Sequence, residues 1–334
     1  MLTRRTFIAL PFVLAACKPG SSVLEFSGET MGTTYNVTVV DPDGSLDHTA
    51  LDRAIATALA EVNAQMSNWD ATSEVSRFNA AAGTAPFAAS SGLVEVIAAA
   101  ETVRAATGGQ FNIALGPLIE LWGFGAGGQP GERPSDAAIA NALAQVGTDA
   151  PVVADGGGVR KARPATEIFL SAIGKGHGVD RIARALSALG ARDYMVEIGG
   201  DLYAAGTNAS GAPWQIGVET PDPLNRAVQE VVGVTGYGMA TSGDYRNYFE
   251  VDGTRYTHIL DAQTGRPITH RTASATVLTE NAMLADAWAT AMLVLGRERG
   301  MEIAEARALP VLFVDRTDAG FVATPSPAFA TLAA

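Results

Sequence analysis

The order of apolar patterns along the chain predicts an α+β protein, with a mixed β-sheet core and flanking helices. Three observations carry that expectation. Strand-like segments succeed one another from Pro151 to Leu278 with a single helical stretch between them, unlike the regular alternation of a parallel sheet. The helical periodicities stand apart, two of them before residue 110 and another after residue 280. The 334 residues, 47% hydrophobic and 17% charged, can bury a core of that size.

The elements follow in order. Arg4 and Arg5 precede the apolar run Phe7 to Ala16, too short to cross a bilayer but suited to an export signal. A short buried helix with an incidental thiol is the alternative. Charge, apolar run and small residues, however, come in the order a cleaved signal requires. Thr3-Arg4-Arg5-Thr6-Phe7 resembles a twin-arginine signal, and Leu14-Ala15-Ala16-Cys17 resembles a bacterial lipobox. Residues 1–16 are therefore expected to be removed. Cys17 becomes the lipidated first residue, 17–22 a tether, and 23–334 one catalytic domain on the periplasmic side of a bacterial membrane.

Val23 to Phe26 and Thr34 to Val40 read as strands, followed by a helix capped by Ser45. Leu51, Ile55, Leu59, Val62 and Met66 form the apolar stripe of that helix. A second helix is expected from Ser91 to about Thr107, and a Gly- and Pro-rich loop from Gly123 to Pro134. That loop contains G-x-G-x-x-G, but Gln129, Pro130 and Gly131 stand where a dinucleotide-binding helix should begin, which rules out a Rossmann site. Val179, Ile182, Ala183, Leu186 and Leu189 mark the helix within the strand-rich half. A last helix from Ala282 to Leu295 and a closing strand from Val311 to Val314 complete the pattern.

The net charge of −12 argues against a nucleic-acid partner, because phosphate backbones need a basic surface. Any anionic ligand must be held by local devices. Cys17 is the sole cysteine, so neither an intramolecular disulfide nor a multi-cysteine metal site is available.

Three constellations can carry chemistry. Ala172 to Asp180 holds Gly174, Lys175, Gly176, His177 and Gly178, and reads as a strand end opening a helix whose N-terminus and lysine favour an anion. It lacks the P-loop spacing, and alone it is better explained by a glycine-rich strand-to-helix turn with an exposed lysine. Asp286 and Thr290 lie four apart on one face of an otherwise apolar helix. A lone buried carboxylate is costly, and a carboxylate with a hydroxyl is the hard-oxygen pair that Mg²⁺ prefers. Thr241 to Tyr248, with Tyr256 to Pro267, packs hydroxyls, acids and His258 between strands. His258 is a candidate general base, with Asp261 nearby to orient its ring or to serve as base itself.

Taken together, these segments resemble the ApbE family, the FAD:protein FMN transferases. The resemblance runs from Glu29-Thr-Met31-Gly32-Thr33 through Met66-Ser-Asn-Trp69-Asp70, Ser73 to Asn79 and Gly116-Pro117-Leu118 with Trp122 to Gly125. It continues through Gly174-Lys175-Gly176, Val196 to Asp201, Thr241 to Tyr245, His258 to Asp261 and Asp286 to Thr290. It implies that Met31 and Trp69 line a flavin site, that Lys175 and Leu260 contact FAD, and that Asp286, Thr290 and Ala172 hold Mg²⁺. It further implies transfer of FMN from FAD to a Ser or Thr hydroxyl of an acceptor flavoprotein, releasing AMP. Asn112, Ile113 and Ala114 stand where the family commonly has Asp-Pro-Thr in its FAD site. Phe169 stands at an acidic position, Gly174 at an alanine and His177 at a tyrosine. Contacts on the AMP side are therefore expected to differ. FAD hydrolysis by water and non-catalytic FAD binding remain the alternative activities.

Overall fold

The computed structural model describes residues 22–125, 128, 129, 131–146, 152–155, 158–222 and 227–333. The export signal and Cys17 lie outside the described residues. Eight helices occur among them: α1 His48–Met66, α2 Glu74–Ala80, α3 Ser91–Ala106, α4 Gly116–Leu121, α5 Asp136–Val146, α6 Gly174–Ala188, α7 Ala282–Arg307 and α8 Pro327–Ala333. The eight-stranded central sheet runs Ser22–Thr30, Thr33–Asp41, Asp193–Ile198, Asp201–Ala205, Tyr237–Gly243, Thr272–Thr279, Val311–Thr317 and Gly320–Pro325. Each neighbouring pair is antiparallel. The α+β class is as expected.

Burial explains the layering. Every residue of Thr272–Thr279 is buried, so this strand is covered on both faces. Ala275 and Val277 belong to the core under α3 and α7, whereas Leu278 packs in the opposite layer with Trp214, Val232 and Phe329. On the helical side Leu51, Ile55 and Leu59 of α1 meet Val179, Ile182 and Leu186 of α6 over Val37, Val39 and Val196. The predicted stripes are thus the buried faces of real helices, except that Leu189 lies past the end of α6 as its C-cap and is 42% exposed.

Several boundaries differ from expectation. The cap of α1 is Asp47, whose Oδ1 accepts from Thr49 N at 2.9 Å and Ala50 N at 3.2 Å. The Ser45 amide instead donates to Asp41 Oδ1 at 3.1 Å. The last long helix does not stop at Leu295. Gly296, at φ 72° and ψ 168°, breaks the helical dihedrals, and a second helical stretch continues to Arg307. The His270 ring covers Gly296, and a Cβ there would meet His270 Cδ2 at 3.0 Å, so a glycine suits both the bend and the packing. The strand from Val311 continues to Thr317 and is not the last element, since a hairpin partner and α8 follow.

The N-terminal ends of α6 and α7 meet beside the sheet. Gly176 permits the approach, because a Cβ there would lie 2.2 Å from Ala282 O. Asp180 of α6 caps α7, accepting from Ala282 N at 2.8 Å and Met283 N at 3.0 Å. In return Asp286 of α7 accepts from Gly176 N of α6 at 3.1 Å.

Candidate functional site

A cavity of about 540 Å³ opens at this junction, within the range of small-molecule sites. Met31, Trp69, Asn112, Phe169, Ala172, Lys175, His258, Leu260, Asp286 and Thr290 all line it. Residues spread over most of the chain thus converge on one space. Three expected residues do not line it. Ile113 and Ala114 are buried in the core beneath α3, and Asp261 is occupied elsewhere.

The apolar wall is built by local devices. Met31 and Gly32, at φ 50° and 73°, join the first two strands in a two-residue turn, and this places Met31 at the cavity despite its left-handed backbone. Trp69, 60% exposed, meets the edge of Phe169 with ring centres 5.2 Å apart. The residues before α6 are not a strand, contrary to expectation. Asn68 and Asn79 substitute for a neighbouring strand: Asn68 Nδ2 and Asn79 Nδ2 donate to Ile168 O at 2.9 and 2.8 Å. Their Oδ1 atoms accept from Leu170 N and Ile168 N, each at 2.9 Å. Phe169 N donates to Ile113 O at 2.7 Å, which gives the Ile113 backbone a positioning role. The Asn112 side chain is used locally, accepting from Ala114 N at 2.8 Å.

The polar floor is dominated by charge. Lys175 donates a short hydrogen bond to Asp201 and lies 3.5 Å from Asp286 Oδ1. Both carboxylates are 2% exposed. Burial would lower the Lys175 ammonium, but Asp201 and Asp286 outweigh it and hold it above its ordinary value. Burial, then the charge of Asp286, pushes Asp201 up to about 8. Two buried carboxyls share one ammonium, and the repulsion between them, which favours a proton on Asp201, would be relieved by a further cation. Thr290 Oγ1, on the same face of α7 as Asp286, is 2.9 Å from Ser242 Oγ.

A divalent cation fits this donor set: the Asp286 carboxylate, which faces Lys175 at 3.5 Å and interacts with Asp201, the Thr290 and Ser242 hydroxyls lining the same cavity, and the turn at Ala172 facing it. Among the described residues no cluster of three or more His, Cys, Asp or Glu side chains could hold a metal. An ion at Asp286 would therefore share hydroxyl, backbone and ligand oxygens, as Mg²⁺ commonly does.

His258 occupies another part of the lining. Its backbone N and its ring Nδ1 both reach the carbonyl of Asn247, at 3.1 and 3.0 Å. A carbonyl only accepts, so Nδ1 carries the proton and Nε2 of the neutral ring keeps its lone pair. Burial lowers the pKa of this imidazole, which keeps it neutral at neutral pH. The expected pairing with Asp261 is not made. Asp261 Oδ1 accepts from Gln263 N at 2.7 Å and Thr264 N at 3.0 Å, stabilising its own turn.

His177, which shares the glycine-rich turn with Lys175, is fully buried without a ring hydrogen bond. Its Nε2 lies toward Gly92 of α3, and it does not line the cavity. Asp201, Asn68, Asn79, Ser242 and Asn247 were not assigned roles from sequence. Asp201, Asn68, Asn79 and Ser242 lay in matched motifs, but what they bond is visible only in three dimensions.

Comparison with known proteins identifies the family and the fold. The sequence model of the ApbE family matches residues 31–313. The FAD:protein FMN transferase of Vibrio cholerae is 42% identical over 322 residues, covering 96% of both chains. That of Haemophilus influenzae is 42% identical over 332 residues, covering 97% of this chain and 96% of the relative. The solved flavin transferase ApbE from Vibrio cholerae superposes with a TM-score of 0.87 at 41% identity, covering 93% of this chain and 99% of that one. At 28% identity the ApbE protein of Thermotoga maritima still gives 0.82, covering 94% of this chain and 100% of that one. With the family's sequence pattern spanning the cavity and its fold reproduced around it, this chain belongs to the ApbE family.

Proposed function

We propose that this chain transfers FMN from FAD to a Ser or Thr hydroxyl of an acceptor protein and releases AMP. The observation that carries the reading is the sharing of one cavity by His258, with Nε2 unprotonated, and by Lys175 with the Asp286–Thr290 pair. Met31 and Trp69 offer the apolar wall for the flavin. Lys175 and the N-terminus of α6 attract the pyrophosphate. Nε2 of His258 accepts the proton of the attacking hydroxyl, whose oxygen bonds to the FMN-side phosphorus as the bond to the AMP phosphate breaks. Asp286, Thr290 and the Ala172 backbone would hold Mg²⁺, which when bound neutralises charge on the pyrophosphate. The names of the relatives support the reaction class.

Incubation with FAD, Mg²⁺ and candidate acceptor proteins tests the reading. One FMN should be added per acceptor, on a Ser or Thr, as seen by mass. Free FMN with no modified protein would instead mean hydrolysis by water.

The proposed address is the periplasmic side of a bacterial membrane, with the protein held by lipid on Cys17. Its support is the order of charge, apolar run and small residues before Cys17. No described helix is long and apolar enough to cross a membrane. Cys17→Ser should move the protein from the membrane to the soluble fraction, and equal retention would refute the anchor.

A further inference from the structure

We propose that Arg316 and Asp244, neither of which lines the cavity, form a clamp that positions His258. The inference rests on His258 acting as the base. The ring of His258 is held through one carbonyl, that of Asn247, so its aim depends on where residues 244–247 lie. Those residues form a bend between the Tyr237–Gly243 strand and the Tyr248–Thr257 hairpin. The hairpin register continues onto Asn247 and His258, and Arg246 reaches Glu219 outside the central sheet, so the aim of the hairpin end depends on how the bend is fixed to that sheet.

Asp244 supplies the fixing. It is 7% exposed, and its amide donates to Ala273 O at 3.0 Å. Its carboxylate takes both terminal nitrogens of Arg316, Nη1 to Oδ2 at 2.7 Å and Nη2 to Oδ1 by a shorter bond. Its carbonyl accepts from Arg255 Nη2, and the Arg255 guanidinium lies 3.9 Å over the Tyr248 ring. Arg316 is anchored in turn, since its amide donates to Arg271 O at 2.9 Å from a strand of the central sheet. A planar fork on a carboxylate fixes direction as well as distance, which one ammonium cannot do. The sheet thereby sets the height and angle of the Asn247 carbonyl, and through it the direction of Nε2. Arg316 and Asp244 are positioning residues.

The test joins kinetics to imidazole ¹⁵N NMR. Arg316→Met should lower kcat by about 10²-fold, the scale of an ångström misplacement, with KM for FAD little changed. His258 should lose the pure Nδ1–H signature and show a tautomer mixture. Arg316→Lys, which keeps one hydrogen bond, should be intermediate in both readouts and serves if the methionine variant folds poorly. Arg316→Met should add nothing in a His258→Ala background. An unchanged kcat, an unchanged His258 signature, or an equal loss in the His258→Ala background would overturn the clamp. If His258→Ala itself retained wild-type kcat, the base assignment would fall first and the clamp with it. Loss in His258→Ala but not in Arg316→Met would sink the clamp alone.

Discussion

Asp180 and Asp286 are both buried carboxylates at the crossing of α6 and α7, each reaching the backbone of the other helix, yet they are built for different ends. Both oxygens of Asp180 are taken by amides of α7, Oδ1 by Ala282 and Oδ2 by Met283. Asp286 spends Oδ2 on the Gly176 amide and leaves Oδ1 with a 3.5 Å contact to Lys175. Asp180 is a finished cap, whereas Asp286 has one oxygen without a short amide bond, the oxygen proposed to hold Mg²⁺. The same residue type at comparable depth is structural or functional according to what its second oxygen meets.

Breaking the functional half should have the larger effect. Asp286→Ala removes the carboxylate opposing the metal and should cut turnover by about 10³-fold or more, because a bound divalent ion supplies several kcal/mol of charge stabilisation. Circular dichroism should show an intact fold, and Mg²⁺ should no longer stimulate what activity remains. Equal activity with and without Mg²⁺ in the wild type would remove the metal from the scheme. Asp180→Ala should do the reverse: it strips a cap and leaves two buried amides unpaired, at a cost of about 2–4 kcal/mol in stability. Turnover per folded molecule, measured well below the melting temperature, should be largely kept. A variant of normal stability that lost activity would make the two carboxylates functionally alike.

The finest comparison is with pH. Burial pushes Asp180 up to about 6 from an ordinary 3.8, although its two amide bonds oppose the shift. A carboxyl that binds its proton more tightly when folded contributes stability below pH 4 and loses it as pH rises through about 6. The wild type should therefore lose stability relative to Asp180→Asn between pH 4 and pH 7, by up to about 3 kcal/mol. Parallel denaturation curves for the two proteins across that range would show that the amide bonds have cancelled the burial.

Much of this was legible in the residues themselves. The stripes of α1, α3 and α6 announced their buried faces because three or more helical turns repeat the pattern often enough to be read. Asp286 and Thr290 were readable as a pair because a helix puts residues four apart on one face. The short helices α2, α4 and α8 offer two turns or fewer, too little for a period to emerge. The run to Arg307 was hidden by Gly296, which breaks the helical dihedrals yet lies inside one packed element.

Partner choice was another matter. Asp261 is three residues from His258, and that nearness suggested a pair, but its own turn offered two amides in reach. Lys175 found Asp201, Ile168 found Asn68 and Asn79, and Asp244 found Arg316 across 72 positions of chain. His177 shares the glycine-rich turn with Lys175 but is directed into the helical core. The sequence by itself determined the class of fold, the faces of the long helices and the residue types of the site, since periodicity and side-chain chemistry are local properties. The tertiary structure decided which donor meets which acceptor, because a hydrogen bond depends on tenths of an ångström between segments whose separation along the chain carries no such information.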